Sequence, residues 1–388
     1  MGLTGGLAAW LVSVVCGRRP CGVQAGRQPP LFVMLSDLFL RDFRCFEQCR
    51  VELHPQCTLF IGRNAQGKTS LLEAVCVLLR LQSPRTSQRS QWLRLGQSSL
   101  LLEGGFNGHR LRLGQSERLR RLAVDAVPCR LTADYLAASG RVVWMDFRDM
   151  NLVRGGSEHR RRYLDFAASQ IDPQYLRALR DYERALRSRN FALKRHAVID
   201  WRQVDAFAEV MQEQADLLQR SRAALVDLLR PEVSAAHADL SGGREQAGLS
   251  YVPGSTPGLL VAQLRELREQ EAQTRQTALG PHRDDLELWI NGLAADAFAS
   301  EGQQRSLALA LKVAQAKVLC DAQGRAPLLL LDDVFGELDE HRRRALMQLL
   351  PTDSQCIITT TQLQWMQQAQ WPQSRIYRVE GAAVLAEG

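Results

Sequence analysis

Lysine is almost missing from this chain. Lys68, Lys194, Lys312 and Lys317 are its only ones, so the 49 basic residues are nearly all arginine. A GC-rich genome produces that bias without selection for any ligand. The net charge of +7 and the pI near 9.1 therefore permit a polyanionic partner without identifying one. Cysteine pairs of the C-x-x-C type are also absent. The nine cysteines are odd in number and scattered (Cys16, Cys21, Cys45, Cys49, Cys57, Cys76, Cys129, Cys320, Cys356), which leaves no readable disulfide framework or zinc site. Cys45, Cys49 and Cys57 fall in strand-like sequence with no fourth ligand nearby, so buried free thiols in a reducing cytoplasm are expected. No apolar run approaches the roughly 18–20 residues that a membrane helix needs. Leu7–Val15 is too short, has no basic segment before it, and lacks the small residue a signal-peptide cleavage site requires. A cytoplasmic chain without a membrane anchor is expected. No repeat and no long low-complexity tract is present, which excludes a solenoid or a fibre.

What is present reads as a large globular protein. A length of 388 residues with 45% hydrophobic and 23% charged content suits one large domain or two coupled ones. Residues 1–33 are rich in Gly, Pro, Arg and Gln after the first apolar run. They read as a disordered extension ahead of a natural start at Met34. Strand-like segments follow at Leu35–Phe43, Cys49–Leu53 and Cys57–Ile61, then a helix from Thr69 to Leu81. Leu176, Leu179, Tyr182 and Leu186 recur at helical spacing. So do Phe207, Met211, Leu218, Leu225 and Leu228, ending before Pro231, and the two runs form an expected helical arm. Strand, loop and helix alternate again from Thr277, closing with the apolar strand Leu328–Leu331. The expected division is an ATPase lobe over 34–155 and 261–388, with the arm as an insert over 156–260.

The strongest local signal is Gly62-Arg63-Asn64-Ala65-Gln66-Gly67-Lys68-Thr69, a complete P-loop pattern between an apolar strand and a helix. Its glycines let successive backbone N–H groups face phosphate oxygens, and the helix N-terminus favours an anion. Lys68 is expected to reach the β- and γ-phosphates of ATP, and the Thr69 hydroxyl to ligate Mg2+. The strand Leu328–Leu331 ends in Asp332 and Asp333, and acids at such a tip face a ligand in open α/β sheets. Asp332 is expected to hold the magnesium. Asp333 stands where transporter ATPases carry a glutamate that polarises the attacking water, and its shorter side chain predicts slow turnover, a switch rather than a motor.

Ser300-Glu301-Gly302-Gln303-Gln304-Arg305 precedes an apolar-faced helix. In ABC-type ATPases a Ser-x-Gly-Gln signature here presents a hydroxyl and a helix N-terminus to the γ-phosphate held by a second subunit, so Ser300, Gly302 and Gln303 predict an ATP-dependent homodimer. A helix cap made by Ser300 fits the same residues but leaves the Gly-Gln-Gln unexplained. Phe335-Gly336-Glu337-Leu338-Asp339 matches the loop that crosses such a dimer interface, which adds Asp339 to the expected nucleotide contacts. Leu240-Ser241-Gly242-Gly243 imitates a transporter signature, but strand-like sequence follows it and it reads as a turn. Thr359, Thr360 and Thr361 end a buried strand where transporters carry a sensing histidine; substitution for it and simple strand preference fit equally well.

From Met34 onward these residues resemble the RecF family. The resemblance is carried by Leu38–Arg44, by Gly155–Asp165, by Asp181–Asn190 and above all by Gly280-Pro281-His282-Arg283-Asp284-Asp285. It implies an α/β P-loop NTPase of the ABC/SMC-head type, a mixed sheet with the P-loop (Walker) helix and an inserted helical arm. It further implies a DNA-binding dimer that works with RecO and RecR to load RecA at single-strand gaps, in replication, repair and the SOS response. The usual serine before Glu337 is replaced by Gly336. Candidate DNA contacts are Arg85, Arg89, Arg94, Arg110, Arg112, Arg118, Arg120 and Arg121, each of which also fits a solvated charged face. The alternatives are another SMC-like DNA-repair ATPase, whose arm would be far longer, and an ABC transporter subunit, which would carry a switch histidine.

Overall fold

The computed structural model describes residues 34–362, 365 and 373–387, so the extension over 1–33 lies outside the described residues. Two compact units emerge. One runs to Phe147 and resumes at Ala316, and the other is Arg148–Gln315. The segment after 260, expected with the ATPase lobe, thus packs with the arm as far as Gln315. The reason is a strand pairing: β10 (Asp285–Ile290) lies antiparallel to β9 (Ala247–Val252), which follows the arm directly.

The first unit holds two six-stranded sheets. One is antiparallel: β1 (Leu35–Phe43), β2 (Phe46–Glu52), β4 (Ser99–Phe106), β5 (His109–Ser116), β6 (Arg120–Val124) and β7 (Val127–Pro128). The other is mixed, in the order β15-β14-β3-β13-β12-β8. Its strands are β3 (Cys57–Ile61), β8 (Val142–Asp146), β12 (Leu328–Asp332), β13 (Cys356–Thr360), β14 (Arg375–Glu380) and β15 (Ala383–Glu387). The parallel strands β8, β12 and β13 are buried throughout and read as continuous apolar runs, as strands covered on both faces should. Helix α1 (Lys68–Arg80) touches strands of both sheets. It is apolar nearly all round, from Leu71 to Leu79, so it is a core helix.

Register places the site. Asp332 lies beside Asp146 on one neighbour and Thr359 on the other, while Thr360 pairs with Ile61, the last residue before the P-loop. The carboxyl ends of four parallel strands therefore meet where the loop begins.

In the second unit, α2 (Ser157–Ile171), α3 (Tyr175–Arg195) and α4 (Trp201–Ser241) form the helical arm beside a small sheet of β9, β10 and β11 (Leu293–Ala294). The sequence ends the second arm helix before Pro231, yet α4 continues to Ser241. Pro231 sits on the exposed side, and the fully buried Leu229 and Val233 anchor the helix on either side of it.

A buried arginine knots several segments of the unit together. Arg222 on α4 donates to Asp284 (2.6 Å), Asp165 (2.6 Å), the Tyr175 hydroxyl (2.9 Å) and the Pro281 carbonyl (2.7 Å). Asp284 is fully buried and accepts further from the Tyr251 hydroxyl, the Gly254 N–H (2.7 Å) and Gln219 (3.3 Å). Removing one partner of a buried ion pair strands the other charge, at a cost of about 3–5 kcal/mol. Arg222→Met should therefore lower the stability of this unit by about that amount. Urea unfolding followed by tryptophan fluorescence would reveal it, and a midpoint equal to that of the unmodified chain would contradict the assignment.

Candidate functional site

The P-loop geometry follows from its neighbours. A side chain at Gly62 would overlap the Val379 carbonyl oxygen of β14. Gly67 has φ of 106° and caps α1, and a Cβ there would lie 2.9 Å from both Cys45 of the β1–β2 turn and Phe46 at the start of β2. Gln66 accepts from the Gly381 N–H at 2.6 Å, which fastens the loop to the β14–β15 turn. Arg63, Asn64 and Ala65 are exposed. The Lys68 ammonium folds onto the loop, donating to the carbonyls of Gly62 (2.6 Å) and Arg63 (2.9 Å). Burial lowers its pKa, against the pull of Asp333 and Asp332.

Two hydroxyls converge on one carboxylate oxygen. Thr69 donates to Asp332 Oδ1 at 2.9 Å and Thr359 donates to the same atom at 2.7 Å. Thr359 also accepts from the Asp333 N–H at 3.0 Å. Asp333 is held at φ of 54°, a left-handed backbone that costs a non-glycine residue free energy, and its Oδ1 is buried without a hydrogen-bond partner among the described residues. Burial raises its pKa, Lys68 lowers it, and Asp332 raises it further. A strained, underpartnered carboxylate at a strand tip marks a functional position.

These groups line a cavity of about 860 Å³ that takes in Asn64–Ser70, Asp332 and Asp333. That volume lies within the usual range for small-molecule sites, roughly 300–1,000 Å³. Other walls went unassigned in the sequence: Arg44, Leu95, Glu117 and Phe147. Arg44 and Arg85 are both held by the fully buried Glu73 of α1, at 2.5 and 3.0 Å. Arg85 and Arg94, two of the candidate DNA contacts, line this cavity. Arg94 pairs with Asp42, Arg110 with Asp37 and Arg112 with Glu103. The only trace of the Arg44–Glu73–Arg85 cluster in the sequence is an acid within an otherwise apolar helix, which does not say which cations meet it.

The remaining expected residues lie elsewhere. Ser300 caps helix α5 (Glu301–Asp321) in a reciprocal box with Gln303: its Oγ accepts from the Gln303 N–H (3.3 Å), and Gln303 Oε1 accepts from the Ser300 N–H (2.8 Å). Gln303 also donates to Glu245 (3.0 Å), Gln304 donates to the Ala295 carbonyl (3.1 Å), and the Gly302 carbonyl accepts from Ser306 (3.1 Å). Capping and packing therefore account for the two glutamines, whereas the Gly302 bond is made by its backbone carbonyl and does not call for a glycine. Asp339 does not line the cavity; it caps α6 (Glu340–Leu349) by accepting from the Arg342 N–H at 2.8 Å. Leu240–Gln246 is a helix end and turn, with Gly242 in the left-handed cap position. His282, read from sequence as metal-capable, is a half-buried histidine held between the Tyr182 hydroxyl (2.7 Å) and the Thr277 carbonyl (3.1 Å). Burial pushes its pKa down to about 4.

The Asp333 environment makes a signed prediction. Its folded-state pKa lies above the ordinary 3.8, so the native state holds the proton longer than the unfolded chain and stability falls as pH rises through that window. Asp333→Asn removes the charge and tolerates the left-handed backbone. It should raise the thermal midpoint at pH 7, with the gain shrinking as the pH is lowered toward about 4. A lower midpoint at pH 7 would refute the reading.

Comparison with known proteins converges on one family. The family model described as an AAA domain matches residues 37–135. Curated DNA replication and repair proteins RecF align almost end to end. One from Synechococcus sp. (strain JA-2-3B'a(2-13)) is 36% identical, covering 90% of this chain and 97% of the relative. One from Anaeromyxobacter sp. (strain Fw109-5) is 35% identical, covering 90% and 98%. Among solved structures, the recombination mediator protein RecF-ATPrS of the RecFOR pathway superposes with a TM-score of 0.82 at 25% identity, covering 92% of this chain and 99% of that one. The Smc head domain of Pyrococcus furiosus shares the fold, with a TM-score of 0.53 at 15% identity, covering 92% and 96%. No helix among the described residues is long and apolar enough to cross a membrane. The chain belongs to the RecF family of DNA replication and repair proteins.

Proposed function

We propose that this chain binds ATP with Mg2+ in the P-loop cavity and uses the nucleotide to dimerise on DNA. It then acts with RecO and RecR as a mediator that loads RecA at single-strand gaps, in the cytoplasm, serving replication and the SOS response. The observation that carries the nucleotide reading is the shared Asp332 oxygen, which holds the Thr69 hydroxyl beside the P-loop. A hydroxyl and a carboxylate are hard oxygen donors suited to magnesium, which takes few protein ligands and completes its shell with phosphate and water.

In this reading the backbone of Gly62–Gly67 cradles the phosphates and Lys68 leaves its loop carbonyls for the β- and γ-phosphate oxygens. Asp333 orients the attacking water; its short side chain, carried on a left-handed backbone, supports slow hydrolysis, so bound ATP acts as a switch. Ser300, Gly302, Gln303 and Asp339 of a second copy complete the site. The solved RecF-ATP relative, with a TM-score of 0.79 and 25% identity over 92% of this chain, supports the nucleotide.

The test is association state. Sedimentation with ATP and magnesium should convert monomer to dimer. Ser300→Arg should abolish the dimer while fluorescent-ATP binding persists, and Lys68→Ala should lose both. A mass that stays monomeric with ATP, magnesium and gapped DNA would overturn the proposal.

A further inference from the structure

The turn that imitates a transporter signature has a structural task. It is fixed on two sides. Gly243 N–H donates to the Ala238 carbonyl at 2.7 Å, closing the end of α4, and Gln246 exchanges hydrogen bonds of 2.8 Å with the backbone and side chain of Asn291 at the β10–β11 turn. From this clamped backbone the Glu245 carboxylate spans two groups. Oε2 meets Nε2 of the fully buried His237 at 2.9 Å, and Oε1 accepts from Gln303 Nε2 at 3.0 Å. The opposite end of the same Gln303 amide accepts the Ser300 N–H. A continuous line therefore runs from the last turns of the arm helix, through one carboxylate, to the residue that caps α5.

We infer that Glu245 is a positioning residue for the Ser300 segment, so that the arm helix sets the readiness of that segment for a nucleotide held by a second copy of the chain. The inference rests on the proposed role of Ser300. An unbraced glutamine amide can rotate, and each wrong orientation loses the hold on the Ser300 backbone. Glu245 accepts from the amide nitrogen, which forces the amide oxygen toward Ser300. A hydrogen bond to a charged group strengthens that choice.

Full-length chain is compared in five forms: unmodified, E245A, E245Q, Q303A and E245A/Q303A. E245A should weaken ATP-dependent dimerisation by about tenfold in the dimer dissociation constant, with ATP affinity of the monomer unchanged. E245Q keeps an oxygen that accepts from Gln303 and should restore most of the loss. The double variant should dimerise no worse than Q303A alone, because both changes act through one amide. An unmodified chain that never dimerises with ATP sinks the parent reading and this inference with it. An unmodified dimer that E245A matches sinks this inference alone, as do fully additive losses in E245A/Q303A or an E245A chain whose monomer no longer binds ATP.

Discussion

One oxygen atom ties the first unit together. Asp332 Oδ1 accepts from a hydroxyl at the start of α1 and from another at the end of β13. It thereby joins the P-loop helix to two adjacent strand ends at the bottom of the cavity. A buried carboxylate needs such donors merely to remain charged. Satisfying it with Thr69 places the helix N-terminus, Lys68 and the acid tip in register before any ligand arrives. That is preorganisation of the backbone: the loop, the helix N-terminus and the acid tip are already set, and what remains is for the Lys68 ammonium to exchange its two loop carbonyls for a ligand.

The strain beside that atom has the same origin. β12 is a run of buried leucines whose register with β8 and β13 is fixed by burial on both faces. The chain must leave the sheet immediately after Asp332, and Thr359 captures the Asp333 N–H with both its carbonyl (3.1 Å) and its hydroxyl (3.0 Å). Asp333 is thus turned into a left-handed conformation with its carboxylate directed into the cavity. Thr359 is thus a strand residue whose hydroxyl and carbonyl also fix the two acids at the tip of β12.

Much of this was legible because it is local. The P-loop is contiguous, its flanking strand and helix are contiguous, and the acid tip follows an unmistakable apolar run. The legible part stops where function depends on residues distant in sequence. Arg44 and Arg85 come to the cavity only because Glu73, buried within α1, needs two cations, and nothing in the spacing of Arg85 separates a cavity arginine from a surface one. The Gly280–Asp285 phrase shows the converse. Its histidine invites a metal reading, yet His282 and Asp284 spend their polar atoms on Tyr182, Thr277, Arg222 and Tyr251. What the resemblance identified as distinctive is the knot of the second unit. A buried ion pair of this kind contributes little net stability but penalises every alternative packing that would strand one charge, which gives such a segment a structural reason to be distinctive.

The Ser300 segment shows why a structural role and a ligand role are compatible. As a cap, the Ser300 oxygen accepts one bond from the Gln303 N–H, which uses a lone pair and leaves the O–H free to donate. An incoming phosphate oxygen needs that donor, together with the positive end of a 21-residue helix. The box with Gln303 then holds the hydroxyl at the helix terminus, and Glu245 fixes the sense of the glutamine amide. The features that make Ser300 look like an ordinary cap are those that would aim it. Capping alone needs Gln303 and nothing more. The additional brace from Glu245, carried by a turn clamped to both α4 and β10–β11, is what a cap would not need and a positioned donor would.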